Sequence, residues 1–148
     1  MGSMEDALPV ELTNGAIRLN GEYAWEPSVF PLALQQAPNL GYACLGGQFW
    51  FLLPDHSLYE LFWLEANASD RADDELWSDY TRRSCEEVLV AFKSLIIDRS
   101  DFHEEACKFE SLKSPFRLMF NAYFVTEREF HSLGLHTYEW PSDGPTRK

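Results

Sequence analysis

Positive charge is scarce in this chain. Its 148 residues hold 12 Lys and Arg against 24 Asp and Glu, a formal charge of −12, and the first lysine is Lys93. Such a field repels phosphate backbones and anionic lipid and attracts basic surfaces, so nucleic acid and membrane are not expected partners. Long apolar runs are missing as well: no 18-residue stretch could serve as a transmembrane helix. The opening Met1-Gly2-Ser3-Met4-Glu5-Asp6 has neither a basic n-region nor an apolar h-region. Met1 to Ser3 reads as an expression scar before a native Met4. The expected compartment is therefore the cytoplasm, or the periplasm if a leader preceded Met4.

Cysteine is sparse and odd in number. Cys44, Cys85 and Cys107 lie 41 and 22 residues apart, which suggests neither a zinc site nor a disulfide scaffold. Reduced thiols are the expectation. Asn67-Ala68-Ser69 matches a glycosylation sequon, but without a secretory signal the match is read as chance.

Catalytic motifs are absent too. Asp55-His56-Ser57 holds the residue types of a hydrolase triad, yet neighbours on a tight turn cannot form the acid–base–nucleophile relay, and the tripeptide is read as turn chemistry. His56, His103, His131 and His136 lack metal-ligand spacing; His103 and Cys107 share a helical face but read as surface residues. Gly46-Gly47 precedes a strand rather than opening a helix, which suits a bulge and not a phosphate cradle. Paired carboxylates arise everywhere in so acidic a chain and carry no information. The expectation is a non-enzyme with no cofactor and no metal.

What is present is a folded core. The 22 aromatic residues and 45% hydrophobic content are too many for an acidic solvating tail, and the length suits one domain. Residues 1–13 read as a loose arm, 14–140 as a single domain and 141–148 as a polar tail. Asn14-Gly15 and Asn20-Gly21 are turns around a weak strand at 16–19. Ser28 is a candidate cap for a helix over 29–36, ended by Pro38 and Gly41.

Residues 48–53 and 58–64 are dense in strand formers around the turn 54–57 and read as an antiparallel hairpin, apolar on nearly both faces. Asp73 or Asp74 is expected to cap a long helix reaching about Ile97, with Trp77, Tyr80, Ser84, Val88, Ala91, Phe92 and Leu95 on its buried stripe. Its charges should pair as Asp79 with Arg83 and Arg82 with Glu86. A short helix is expected from Asp101 through Cys107. Residues 116–125 alternate as a third long strand, and Thr126-Glu127-Arg128-Glu129 is a capping-box signature for a helix to about Leu133. The fold expected is α+β: a single domain whose antiparallel sheet has a central aromatic-rich hairpin and a third long strand, packed by one long amphipathic helix and two or three short ones.

The acid is unevenly spread. Residues 1–64 hold seven acids and one base, residues 65–110 thirteen and six, and residues 111–148 four and five. Nearly all the excess therefore precedes residue 111. A cationic partner would be steered toward such a surface, with aromatic anchors supplying buried contacts. Trp25, Trp63, Trp77, Tyr80, Tyr138 and Trp140 are the candidate anchors.

The stretch Leu40-Gly41-Tyr42-Ala43-Cys44-Leu45-Gly46-Gly47-Gln48-Phe49-Trp50-Phe51-Leu52-Leu53-Pro54-Asp55, running into Tyr59-Glu60-Leu61-Phe62-Trp63, resembles small acidic bacterial immunity proteins encoded beside polymorphic or contact-delivered toxins. Trp77-Ser78-Asp79-Tyr80 fits the same resemblance, which spans about residues 40–97. It implies an α+β protein that binds and neutralises one cognate toxin, and it assigns no binding residue. From the charge, we expect a toxin with a basic active-site surface, occluded by Asp70, Asp73, Asp74, Glu75 and Asp79 at the entry to the long helix. The alternative is a small acidic secretion chaperone that binds an effector protein as a homodimer.

Overall fold

Asn20 and Gly21 both take positive φ, 54° and 82°. That is the backbone a two-residue hairpin turn needs, and it folds β1 (Ala16–Leu19) onto β2 (Glu22–Trp25). The computed structural model describes residues 7–97 and 116–133, with positions 62 and 97 described by backbone alone. The expected helix over 101–107 and the tail at 141–148 lie outside the described residues.

Five strands form one antiparallel sheet in the order β1-β2-β5-β3-β4. β3 (Ala43–Leu52) and β4 (Leu58–Asn67) are the expected hairpin, longer at both outer ends than the apolar runs alone suggest. β5 (Arg117–Val125) is the third long strand and lies between β2 and β3. β2 was not foreseen. Its four residues reach the sheet by pairing Ala24 with Asn121 and Trp25 with Phe120, far along the chain.

One face of the sheet carries the main core. Phe49, Phe120 and Phe124 pack against Phe30 and Leu34 of α2 (Phe30–Gln36) and Val88 and Phe92 of α3 (Trp77–Ile97). Ring centroids lie 4.7 Å apart for Phe30–Phe120 and 4.8 Å for Phe49–Phe120, with tilted or edge-on planes that suit aromatic quadrupoles. The alternation expected for β5 holds: Leu118, Phe120, Ala122 and Phe124 belong to this core, while Met119 joins Trp50, Leu52 and Ala24 in a second cluster.

Several boundaries differ from the sequence reading. The expected loose arm ends in a helical turn, α1 (Val10–Thr13), because Leu12 is fully buried and its carbonyl accepts the Trp25 indole N–H at 2.6 Å. Ser28 does not cap α2. Val29 holds that position, since the chain enters from a turn in which the Val29 and Phe30 N–H groups donate to the Glu26 carbonyl. Gly46 and Gly47 lie inside β3, between register shifts at 44/46 and 48/49. A Cβ on Gly47 would meet the Asn121 carbonyl oxygen at 1.8 Å, so only glycine allows β5 to approach there. The capping box is present in full: Thr126 Oγ1 accepts from Glu129 N, and Glu129 Oε1 accepts from Thr126 N, starting α4 (Glu127–Ser132). Among the described residues no helix is long and apolar enough to cross a membrane.

Candidate partner-binding site

The loop between β4 and α3 is built around one arginine. Arg83, on the second turn of α3, donates to Glu75 Oε2 and Oε1 at 2.8 Å each, to Ser69 Oγ at 2.6 Å, to Glu87 Oε2 at 2.9 Å and to the Asp70 carbonyl at 2.9 Å. The fork geometry of guanidinium matches the Glu75 carboxylate bidentately, which a lysine could not do. Glu87 closes the ring from its other oxygen by accepting the Ser69 backbone N–H and hydroxyl, both at 2.8 Å. Arg71 holds the far end: its Nε and Nη2 donate to the Glu75 carbonyl, its guanidinium reaches Glu127 of α4 at 3.2 Å, and it lies over the Trp77 ring.

This arrangement moves the expected helix start. Neither Asp73 nor Asp74 caps α3, which begins at Trp77. The Glu75 carboxylate accepts the Ala72 N–H instead, and the Leu76 carbonyl accepts from Asp79 and Tyr80. The expected charge pairs are also re-drawn. Asp79 pairs with Arg82 at 2.7 Å, leaving Arg83 to Glu75 and Glu87.

The five residues expected to form the partner site therefore have three different environments. Glu75 is held by Arg83, whose hydrogen bonds draw its carboxyl down to about 2, and it is mostly covered. Asp79 is exposed but neutralised by Arg82. Asp70, Asp73 and Asp74 are exposed, and no described residue bonds to their side chains. On the same loop Leu76 is 66% exposed. The loop is thus a held scaffold presenting one exposed apolar group and three carboxylates that have no partner among the described residues. Ser69, Arg71, Leu76, Arg83 and Glu87 complete it, and none was singled out for this role from the sequence. A pairing that spans a loop–helix junction has no periodic signal.

The aromatic candidates separate in the same way. Trp25 and Tyr80 are buried and belong to the core. Trp77 is half-buried, donating its indole N–H to the Gly41 carbonyl at 3.0 Å and packing on Tyr80 and Phe130, so it anchors the helix start. Trp63 on β4 is 46% exposed. Tyr138 and Trp140 lie outside the described residues. So do His103, Cys107 and His136.

A second acidic group lies on the sheet face opposite α3. Burial raises the Glu22 carboxyl above the usual carboxylate range, a hydrogen bond with Tyr123 partly offsets this, and Glu60 adds repulsion. Asp55-His56-Ser57 is a turn: Asp55 Oδ1 accepts the Ser57 N–H at 2.9 Å and His56 takes φ 71°. Among the described residues no three His, Cys, Asp or Glu side chains are grouped so as to hold a metal ion.

Comparison with protein-family models, curated proteins and solved structures yields no match to this chain.

Proposed function

We propose that the protein is a non-enzymatic inhibitor, an immunity protein that binds a cognate bacterial toxin and covers its basic active-site surface. The observation that supports this reading is the Arg83-centred loop. A loop that must be ordered during binding loses affinity to entropy, whereas one already held does not. Here Arg83 holds the Asp70 carbonyl and the Glu75 carboxylate, so the loop backbone is set in the free protein, while the Asp70, Asp73 and Asp74 side chains are exposed and have no bond partner among the described residues. Such groups gain most from a cation, and the exposed Leu76 of the same loop offers an apolar contact. The net charge of −12 favours fast encounter with a basic surface.

The test begins with capture of the partner from the native host, followed by association kinetics with the purified pair. Asp70→Ala, Asp73→Ala and Asp74→Ala combined should slow association at least about tenfold at low salt and flatten its salt dependence. Unchanged kinetics would remove this loop from the interface. A captured partner without toxic activity, bound by a homodimer of this chain, would favour the secretion-chaperone alternative.

A further inference from the structure

Two buried thiols play no part in the proposed inhibitor surface. Cys44 on β3 and Cys85 on α3 are both free and both buried. They meet where the helix crosses the sheet. The Cys44 N–H donates to Ser84 Oγ at 3.2 Å, and the Cys44 backbone also hydrogen-bonds the Cys85 thiol. Ser84 Oγ donates in turn to the Thr81 carbonyl at 3.1 Å, which ties this turn of α3 to the strand. Both cysteines belong to the same core cluster, one from each side of the helix–sheet interface. A disulfide requires two side chains that face each other with Cα atoms within about 7 Å, and the Cys85 thiol already lies against the Cys44 backbone.

We propose that Cys44 and Cys85 form a redox-responsive pair that closes into a disulfide tying α3 to β3 when a small disulfide oxidant is present. The chemistry balances in two exchanges. One cysteine, as thiolate, attacks a sulfur of the oxidant, forming a mixed disulfide and releasing one thiol. The second cysteine attacks the protein sulfur of that mixed disulfide and releases the other thiol. Two electrons and two protons leave the protein, and the oxidant becomes two thiols.

Burial sets the rate. It pushes the Cys85 thiol up to about 12 and the Cys44 thiol well above its usual range, so thiolate is scarce while the core is closed. Exchange then waits for α3 to part briefly from β3, and closure is slow but lasting. Arg83 lies one position before Ser84 on the same helix, so the crosslink also fastens the turn that holds the acidic loop.

The experiment uses the full chain with glutathione disulfide in native buffer, alkylation of remaining thiols, and peptide mass spectrometry. We expect the Cys44 and Cys85 peptides joined within one chain, a thermal midpoint raised by roughly 10 °C, and reversal of both by dithiothreitol. Cys107→Ser should keep the crosslink, and Cys85→Ala should abolish it. The oxidised and reduced forms of the unaltered chain decide the matter even where Cys85→Ala fails to fold. Only glutathione adducts, only links through Cys107, or a Cys44–Cys85 link confined to urea concentrations that unfold the chain would overturn the proposal.

Discussion

Each acid of the β4–α3 loop takes its character from whether Arg83 reaches it. Glu75, gripped at both oxygens, has its carboxyl lowered from 4.5 to about 2. Its contribution to stability is therefore complete above the ordinary carboxylate value and is lost as pH falls toward about 2. Glu22 behaves oppositely. Its carboxyl is raised by burial, so the folded state is favoured while it is protonated and loses stability as pH rises through its folded value. Urea denaturation across the acid range should separate the two. Glu75→Gln should be destabilising near neutrality and flatten the acid limb. Glu22→Gln, which keeps an acceptor for Tyr123, should be stabilising near neutrality. The same sign for both variants would contradict these assignments.

At the scale of elements, β3 and β5 approach at Gly47 too closely for any added side-chain carbon. A methyl group there meets backbone, which cannot swing aside as a flexible side chain can. Gly47→Ala should cost about 3 kcal/mol or more in denaturant unfolding, with the slope of the transition unchanged. A cost below about 1 kcal/mol would show that the two strands separate there easily.

Elements with a local pattern were legible in the sequence. The alternation of Leu118, Phe120, Ala122 and Phe124, the capping box at Thr126 and the turn at Asp55 each depend on residues a few positions apart. β2 was not legible, because four residues between a turn dipeptide and Glu26-Pro27 hold no period. Its strand character comes from Ala24 meeting Asn121. The start of α3 was misplaced for a similar reason. Asp73 and Asp74 look like caps, but Arg83 fixes the loop through Glu75, eight residues before it in the chain. The acidic composition of the candidate site was visible; the distinction between neutralised and free carboxylates was not, because it depends on which oxygen each guanidinium reaches.

For the whole molecule, the charge is −12, and its described acids divide into those with an arginine partner and those with none among the described residues. Asp79, Glu75, Glu87, Glu26 and Glu127 all have an arginine partner. Asp70, Asp73 and Asp74 have none among the described residues, and they share one loop with Leu76. On the proposed inhibitor reading, overall charge speeds encounter with any basic surface, and the Arg83 scaffold, which holds the backbone that carries these acids, supplies the selectivity.

These two contributions can be set against each other in a single variant. Arg83→Met makes the protein one unit more negative while releasing Glu75, Ser69 and Glu87 from their common partner. The decisive measurement is the dissociation constant of the purified Arg83→Met variant for its captured partner, beside the unaltered protein, with circular dichroism confirming the fold. If the fixed loop is the binding element, affinity should fall at least about tenfold, mainly through faster dissociation, despite the added negative charge. Equal or tighter binding by the folded variant would contradict the account and leave net charge as the whole basis of recognition.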